Sequence, residues 1–193
     1  MALIVASQSR YRLELLQDAG IEFRAVQHRC DERSVPVSGQ PGEVAVALAR
    51  CKAKSVSADC DPDDLILGMD QLCVVGSDEN YELLHQPGDV ERAVQQLASL
   101  SGGTHRLVNG LALLQNRTNK IVSAVEEHRV VMRSFTEEQA REYVEEVMPL
   151  DCAGSYRIEC DRGLVETIEG SGIHGVIGAP LHVIRWLLKQ VPG

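Results

Sequence analysis

Aromatic side chains are scarce: one Trp, four Tyr and two Phe make up 4% of 193 residues. The core must therefore be built mainly from Val, Leu, Ile and Ala, and stacking platforms for single-stranded nucleic acid are not supported. Cations are also in short supply. Lysine and arginine total 19 against 28 aspartates and glutamates, a formal charge of −9. That balance disfavours a nucleic-acid polymer as partner, because phosphate contacts need clustered basic residues. A small phosphorylated ligand stays admissible, since a divalent cation can neutralise both partners locally. No stretch approaches the roughly 18 apolar residues that span a bilayer, and Met1-Ala2-Leu3-Ile4-Val5-Ala6 lacks the basic region and length of a secretion signal. A cytoplasmic protein without a membrane partner is expected. The six cysteines, at 30, 51, 60, 73, 152 and 160, form no CxxC pair and no zinc-type spacing with histidine. They are expected to be free thiols. A Walker lysine and a Gly-x-Gly-x-x-Gly loop are both absent.

What remains is an ordinary globular composition, 44% apolar and 24% charged. The length suits one domain over residues 1–193, folded around a single core or as two lobes. Ala2 to Ala6 reads as a buried strand, and the pattern from Arg10 to Gly20 as a helix with Ser9 as its cap. Ile21 to Val26 alternates as a strand. A helix follows Pro41. Leu65 to Val75 holds two apolar runs interrupted at Gly68-Met69-Asp70-Gln71, and Gly76 to Asn80 is hairpin chemistry. Val90, Ala93, Val94, Leu97 and Leu100 define the clearest helix. Leu107–Leu114 and Ile121–Met132 read as paired strands, and Thr136-Glu137-Glu138-Gln139 is a capping box opening a helix to Val147. Leu164–Ile168 and Val176-Ile177 read as short strands. A last helix from Pro180 carries Trp186, expected in the core. Interleaved helices and hairpins predict an α/β fold with a mixed sheet.

Three places can carry chemistry. Ser7-Gln8-Ser9-Arg10-Tyr11-Arg12 joins a strand to a helix start and offers free N–H groups, hydroxyls and guanidiniums to an anion; a capped helix with solvated arginines is the structural alternative. Asp70, between two apolar runs, needs a cation or hydrogen-bond donors to stay ionised. Asp31-Glu32 sits among Arg29 and Arg33. His105 reads as a structural histidine at a strand start.

The order of these signals is more specific than any one of them. Ala6-Ser7-Gln8-Ser9-x-x-Arg12-x-x-Leu15-Leu16, Asp31-Glu32, Leu48-Ala49-Arg50-x-Lys52-Ala53 and Gly68-x-Asp70 follow one another. Leu100-Ser101-Gly102-x-Thr104-His105, Cys152-Ala153-Gly154-Ser155-Tyr156 and Val176-Ile177-Gly178-x-Pro180-Leu181 complete the series. Over essentially its whole length the chain resembles the Maf family of nucleoside triphosphate pyrophosphatases. The resemblance implies a Maf/inosine-triphosphatase-like elongated mixed sheet with flanking helices, two lobes around a cleft, dependence on Mg²⁺ or Mn²⁺, and commonly a homodimer. Its activity would split the α–β phosphoanhydride of a nucleoside triphosphate. Asp70 would hold the metal or take the proton of the attacking water, with Glu32 as the second metal-side carboxylate. Arg12 and Lys52 would neutralise phosphate, and Ser7 and Ser9 would hydrogen-bond it.

Tyr11, Asp70-Gln71-x-Cys73 and Glu159 resemble the 7-methyl-GTP branch of the family more than the dTTP/UTP branch. Tyr11 and Glu159 would favour a cationic base; the alternative for Glu159 is a surface pair with Arg157 or Arg162. Departures are also present. Arg10 stands where the family has proline, Cys51 where it often has glutamate, and Gln86 where a lysine is expected to meet phosphate. Loss of that cation is worth about 1.5–3 kcal/mol, which leaves a degenerate nucleotide-binding protein with weak or no catalysis as the alternative function.

Overall fold

In the computed structural model, which describes residues 1–36 and 38–191, seven strands form one mixed sheet with helices packed on it. The strands are β1 (Leu3–Ala6), β2 (Arg24–Val26), β3 (Leu65–Gly76), β4 (Tyr81–Leu84), β5 (Thr104–Gln115), β6 (Lys120–Met132) and β7 (Val165–Glu169). Their order is β2-β1-β3-β5-β6-β7, with β4 hydrogen-bonded to β3. The helices are α1 (Arg10–Asp18), α2 (Pro41–Ser55), α3 (Val90–Ser99), α4 (Glu137–Val147), α5 (Ile173–Ile177) and α6 (Leu181–Lys189). None is long and apolar enough to cross a membrane.

The expected mixed α/β architecture is present, with four local corrections. The two apolar runs around Asp70 are one uninterrupted strand, β3. Gly68 and Asp70 do not break it because both face a helix that accommodates them. Val176 and Ile177 close the short helix α5 rather than form a strand; a two-residue apolar run does not distinguish the two. Trp186 is 48% exposed, while Ile184 and Leu187 of the same helix are fully buried, so α6 turns its aliphatic stripe inward. Finally, Cys30 and Cys51 form a disulfide, and only Cys60, Cys73, Cys152 and Cys160 are free. The bridge joins residues 21 apart in sequence, a loop and a helix, so no local spacing announced it.

The chain divides into two compact units. The first comprises residues 1–71, 109–126 and 177–193. Its sheet is built on β1, paired in parallel with both β2 and β3. Leu16, Leu67, Leu113, Ile184 and Leu187 form one core there, and Ile4, Ala53, Ile66 and Leu114 another. The second comprises residues 72–108 and 127–176, with Val94, Leu97, Val130, Met132 and Val144 at its centre. Here the capping box read from the sequence is formed, by Thr136 and Gln139 at the start of α4, and Asp89 caps α3 by accepting from the Arg92 N–H.

Candidate active site

The register of the parallel strands assembles the site. Ala6 of β1 lies opposite Val26 of β2 and Gly68 of β3. Chain leaving β1 (Ser7–Arg12), chain leaving β2 (His28–Glu32) and the Met69-Asp70 stretch therefore emerge at one end of the first unit. This is where open parallel sheets place their ligands.

Helix α2 supplies the fourth part, and two glycines determine how closely. A Cβ on Gly68 would lie 2.0 Å from the Ala49 carbonyl oxygen, and one on Gly110 2.1 Å from the Ala45 carbonyl carbon. Backbone thus packs on backbone. Lys52, three residues beyond Ala49, is brought onto Asp70, two residues beyond Gly68 on the same strand face. The Lys52 ammonium donates to Asp70 Oδ1 and stands 3.0 Å from Glu32 Oε1. Lys52 and Asp70 are 7% and 6% exposed. Burial pushes the Asp70 carboxyl above its usual range, opposed by Lys52 and Arg12. Burying such a pair carries a desolvation cost that its mutual attraction offsets only in part.

Arg12 lies on α1 and donates to the Met69 carbonyl oxygen at 3.2 Å. Gly178 makes room for it: with φ at +92°, a Cβ there would stand 2.7 Å from Arg12 Nε. Ser7 is buried at the end of β1 and its hydroxyl oxygen accepts from the Ser9 N–H at 3.2 Å. Ser9 is the residue preceding α1, as expected, but its hydroxyl makes no capping bond. Tyr11 is half-buried on the first turn. Arg10 is exposed and paired with Glu14 at 2.7 Å.

Sequence reasoning missed His28. Its Nε2 is 3.9 Å from Glu32 Oε1, and burial, followed by the Lys52 charge, lowers its pKa. A lone histidine in a polar loop gave no signal; only the parallel pairing of β2 with β1 brings it here.

Gln86 and Glu159 belong to the second unit. The exposed Gln86 amide donates to the Asp151 carbonyl oxygen at 2.9 Å. Glu159 is exposed in a 3₁₀ turn (Ile158–Cys160). Of the two arginines considered as its partners, Arg157 binds Asp151 at 2.8 Å and Arg162 binds Glu146. Two further motifs prove to be structural. His105 is buried with Nε2 2.9 Å from the Tyr156 hydroxyl, and Gly154 has φ at +82° and sits where a Cβ would come within 3.0 Å of Cys73 Sγ.

Comparison with known proteins decides the family. The Maf-like protein family model matches residues 2–191. The chain belongs to the Maf family. Among curated Maf relatives, the 7-methyl-GTP pyrophosphatase of Hahella chejuensis is 36% identical over 98% of this chain and 93% of its own length. The dTTP/UTP pyrophosphatase of Alkaliphilus oremlandii is 34% identical over 97% and 95%. Among solved structures, a HAM1 protein from Coxiella burnetii covers 98% of each chain with a TM-score of 0.44 at 16% identity. In this Maf chain, Arg12, Glu32, Lys52 and Asp70 are gathered by the fold of the first unit.

Proposed function

We propose that this protein hydrolyses a nucleoside triphosphate between its α- and β-phosphates, releasing a nucleoside monophosphate and pyrophosphate. The observation that carries the reading is the buried ammonium of Lys52, set between Asp70 and Glu32 with the Arg12 guanidinium nearby. In a chain of net charge −9, two cations held at one end of a parallel sheet suit a polyanion of few charges. Lys52 and Arg12 neutralise the phosphates, and the Ser7–Ser9 turn offers hydroxyl and backbone N–H donors at the start of α1. Asp70, whose affinity for a proton is raised by burial, accepts the proton of the attacking water.

The donor set also fits Mg²⁺ or Mn²⁺. Among the described residues no group of three or more His, Cys, Asp or Glu side chains forms a metal cage. Asp70 and Glu32 instead converge on one ammonium, and two carboxylates completed by substrate phosphates are what Mg²⁺ commonly uses. Such an ion, when bound, withdraws charge from phosphoryl oxygens and acidifies water. Asp70 and Glu32 would hold it, and the substrate phosphates would then compete for Lys52.

For the base we propose a cationic purine such as that of 7-methyl-GTP. An aromatic face at Tyr11 favours positive charge, and relatives bearing that activity in their names support the choice. A pyrophosphate-release screen over ordinary and modified nucleoside triphosphates, with Mg²⁺ and with Mn²⁺, tests the reading. Asp70→Asn should lower turnover by at least about 100-fold with its circular dichroism preserved. Turnover within a few-fold of the parent in that variant would remove Asp70 from the chemistry.

A further inference from the structure

The Cys30–Cys51 bridge occupies a telling place. Cys30 lies two residues before Glu32, and Cys51 immediately precedes Lys52, so the covalent link runs beside the Glu32–Lys52 ion pair. The stretch carrying Glu32 has little else to hold it. From Gln27 to Pro36 no residue is fully buried. Its ties to α2 and the turn that follows are polar and exposed: the Arg29 N–H to Ser55 Oγ at 3.0 Å, the Arg29 guanidinium to the Ser55 carbonyl oxygen at 3.3 Å, and Arg29 with Asp59. Exposed polar ties of this sort are individually weak in water, and a segment without buried apolar contacts opens readily. Both cysteines are half-buried rather than sealed, so a small thiol can reach them.

We propose that Cys30 and Cys51 are a thiol–disulfide exchange site whose oxidation state positions Glu32 beside Lys52. The inference rests on the proposed function in treating that pair as part of the site. The reductant is a dithiol. One of its thiolates attacks a bridge sulfur, breaking the Sγ–Sγ bond and forming a mixed disulfide. Its second thiol then displaces the protein sulfur. Two electrons and two protons pass to the protein, leaving two cysteine thiols and an oxidised dithiol; an oxidised dithiol reverses the exchange. With the bridge closed, Glu32 is tethered through Cys30 to the helix that bears Lys52. With it open, the restraints seen among the described residues are polar: the exposed ties of Arg29 and the Glu32–Lys52 pair itself. Cys30 and Cys51 are thus positioning residues that act through Glu32.

The test uses the full chain, equilibrated with oxidised or with reduced dithiothreitol. Thiol titration after denaturation should count four thiols in the first state and six in the second, with peptide mapping placing the bridge at Cys30–Cys51. Six thiols in both states would overturn the proposal. Hydrogen exchange over residues 27–36 should quicken at least ten-fold on reduction and recover on reoxidation; unchanged exchange would overturn it. This readout needs no turnover, so it separates failure of the switch from failure of the pyrophosphatase reading. In the enzyme assay, reduction should lower kcat/KM about ten-fold, and Cys30→Ser or Cys51→Ser should reproduce the loss regardless of reagent. A staple that only stabilises the fold would act equally in any background. In Glu32→Gln the redox effect should therefore shrink to less than two-fold, and a full ten-fold effect there would refute action through Glu32.

Discussion

Gly68→Ala is the sharpest perturbation of the site that leaves every charged group in place. The added Cβ would stand 2.0 Å from the Ala49 carbonyl oxygen and 2.9 Å from the Ala53 nitrogen, where ordinary contact begins at 3.4 Å. Both obstacles are backbone atoms, so no side-chain rotation relieves them. Helix α2 must retreat from β3 by about 1.4 Å, the difference between those distances. Overpacking of this kind costs about 1–3 kcal/mol, and stretching the buried Lys52–Asp70 pair beyond hydrogen-bonding reach places the expected loss near the upper end of that range. Displacement on this scale at a reacting centre is worth about 100-fold in rate. Gly42→Ala on the same helix is the control: its Cβ would meet only the Val125 side-chain methyls, at 3.1 Å and 3.3 Å. That variant should be neutral or stabilised by up to about 1 kcal/mol. Urea unfolding gives the stability difference, and pyrophosphate release gives the rate. If Gly68→Ala lay within 0.5 kcal/mol of the parent, on the order of the scatter among neutral surface changes, backbone-to-backbone seating of α2 would be refuted.

His105 should impose a pH dependence on stability. Burial lowers its pKa from 6.5 to about 4 in the folded chain, so below pH 6.5 the unfolded chain binds a proton that the folded one does not. Its contribution is fully present above pH 6.5 and is lost as pH falls towards 4, by up to about 3 kcal/mol; His105→Gln should flatten the pH dependence of urea unfolding over that window, and an unchanged slope would dismiss it. Gly178→Ala should raise the nucleotide KM about ten-fold by displacing Arg12, beyond the roughly 1 kcal/mol of stability lost from its left-handed backbone; an unchanged KM would show that Gly178 does not seat Arg12. Tyr11→Ala should shrink the 7-methyl-GTP to GTP ratio of kcat/KM about ten-fold, equivalent to about 1.4 kcal/mol of differential binding, and an unaltered ratio in a folded, active variant would end its role at the base.

The helices were the most legible part of the chain because their ends carry local chemistry. Thr136 with Gln139, Asp89 before α3 and Pro41 in α2 each satisfy or remove free N–H groups, a requirement visible within four residues. Strand β3 was harder. Gly-x-Asp inside an apolar run resembles a break when the partner cannot be seen, but Gly68 admits α2 and Asp70 meets Lys52, both supplied from elsewhere in the chain. Arg12, Asp70 and Glu32 stood out by their local chemistry, at a strand-to-helix junction, between two apolar runs and in a charged cluster, whereas Lys52 was singled out only by the order of family motifs. His28 and the Cys30–Cys51 bridge stayed hidden because each depends on the parallel pairing of β2 with β1 and on the seat of α2. Such juxtapositions have no signature at fixed spacing.

The register that sets Ala6 opposite Gly68 also bears on how the protein folds. Parallel pairing of β1 with β3 closes a loop of about sixty residues, and such non-local contacts form only after their entropy cost has been met. Arg12, Glu32, Lys52 and Asp70 come from four separate stretches of chain and share a location only once that closure is made. A partly folded chain with native helices would still lack the site, and the electrostatic cost of bringing two buried charges together falls in the late, cooperative part of assembly. The four side chains therefore share a location only once β1 has paired with β3.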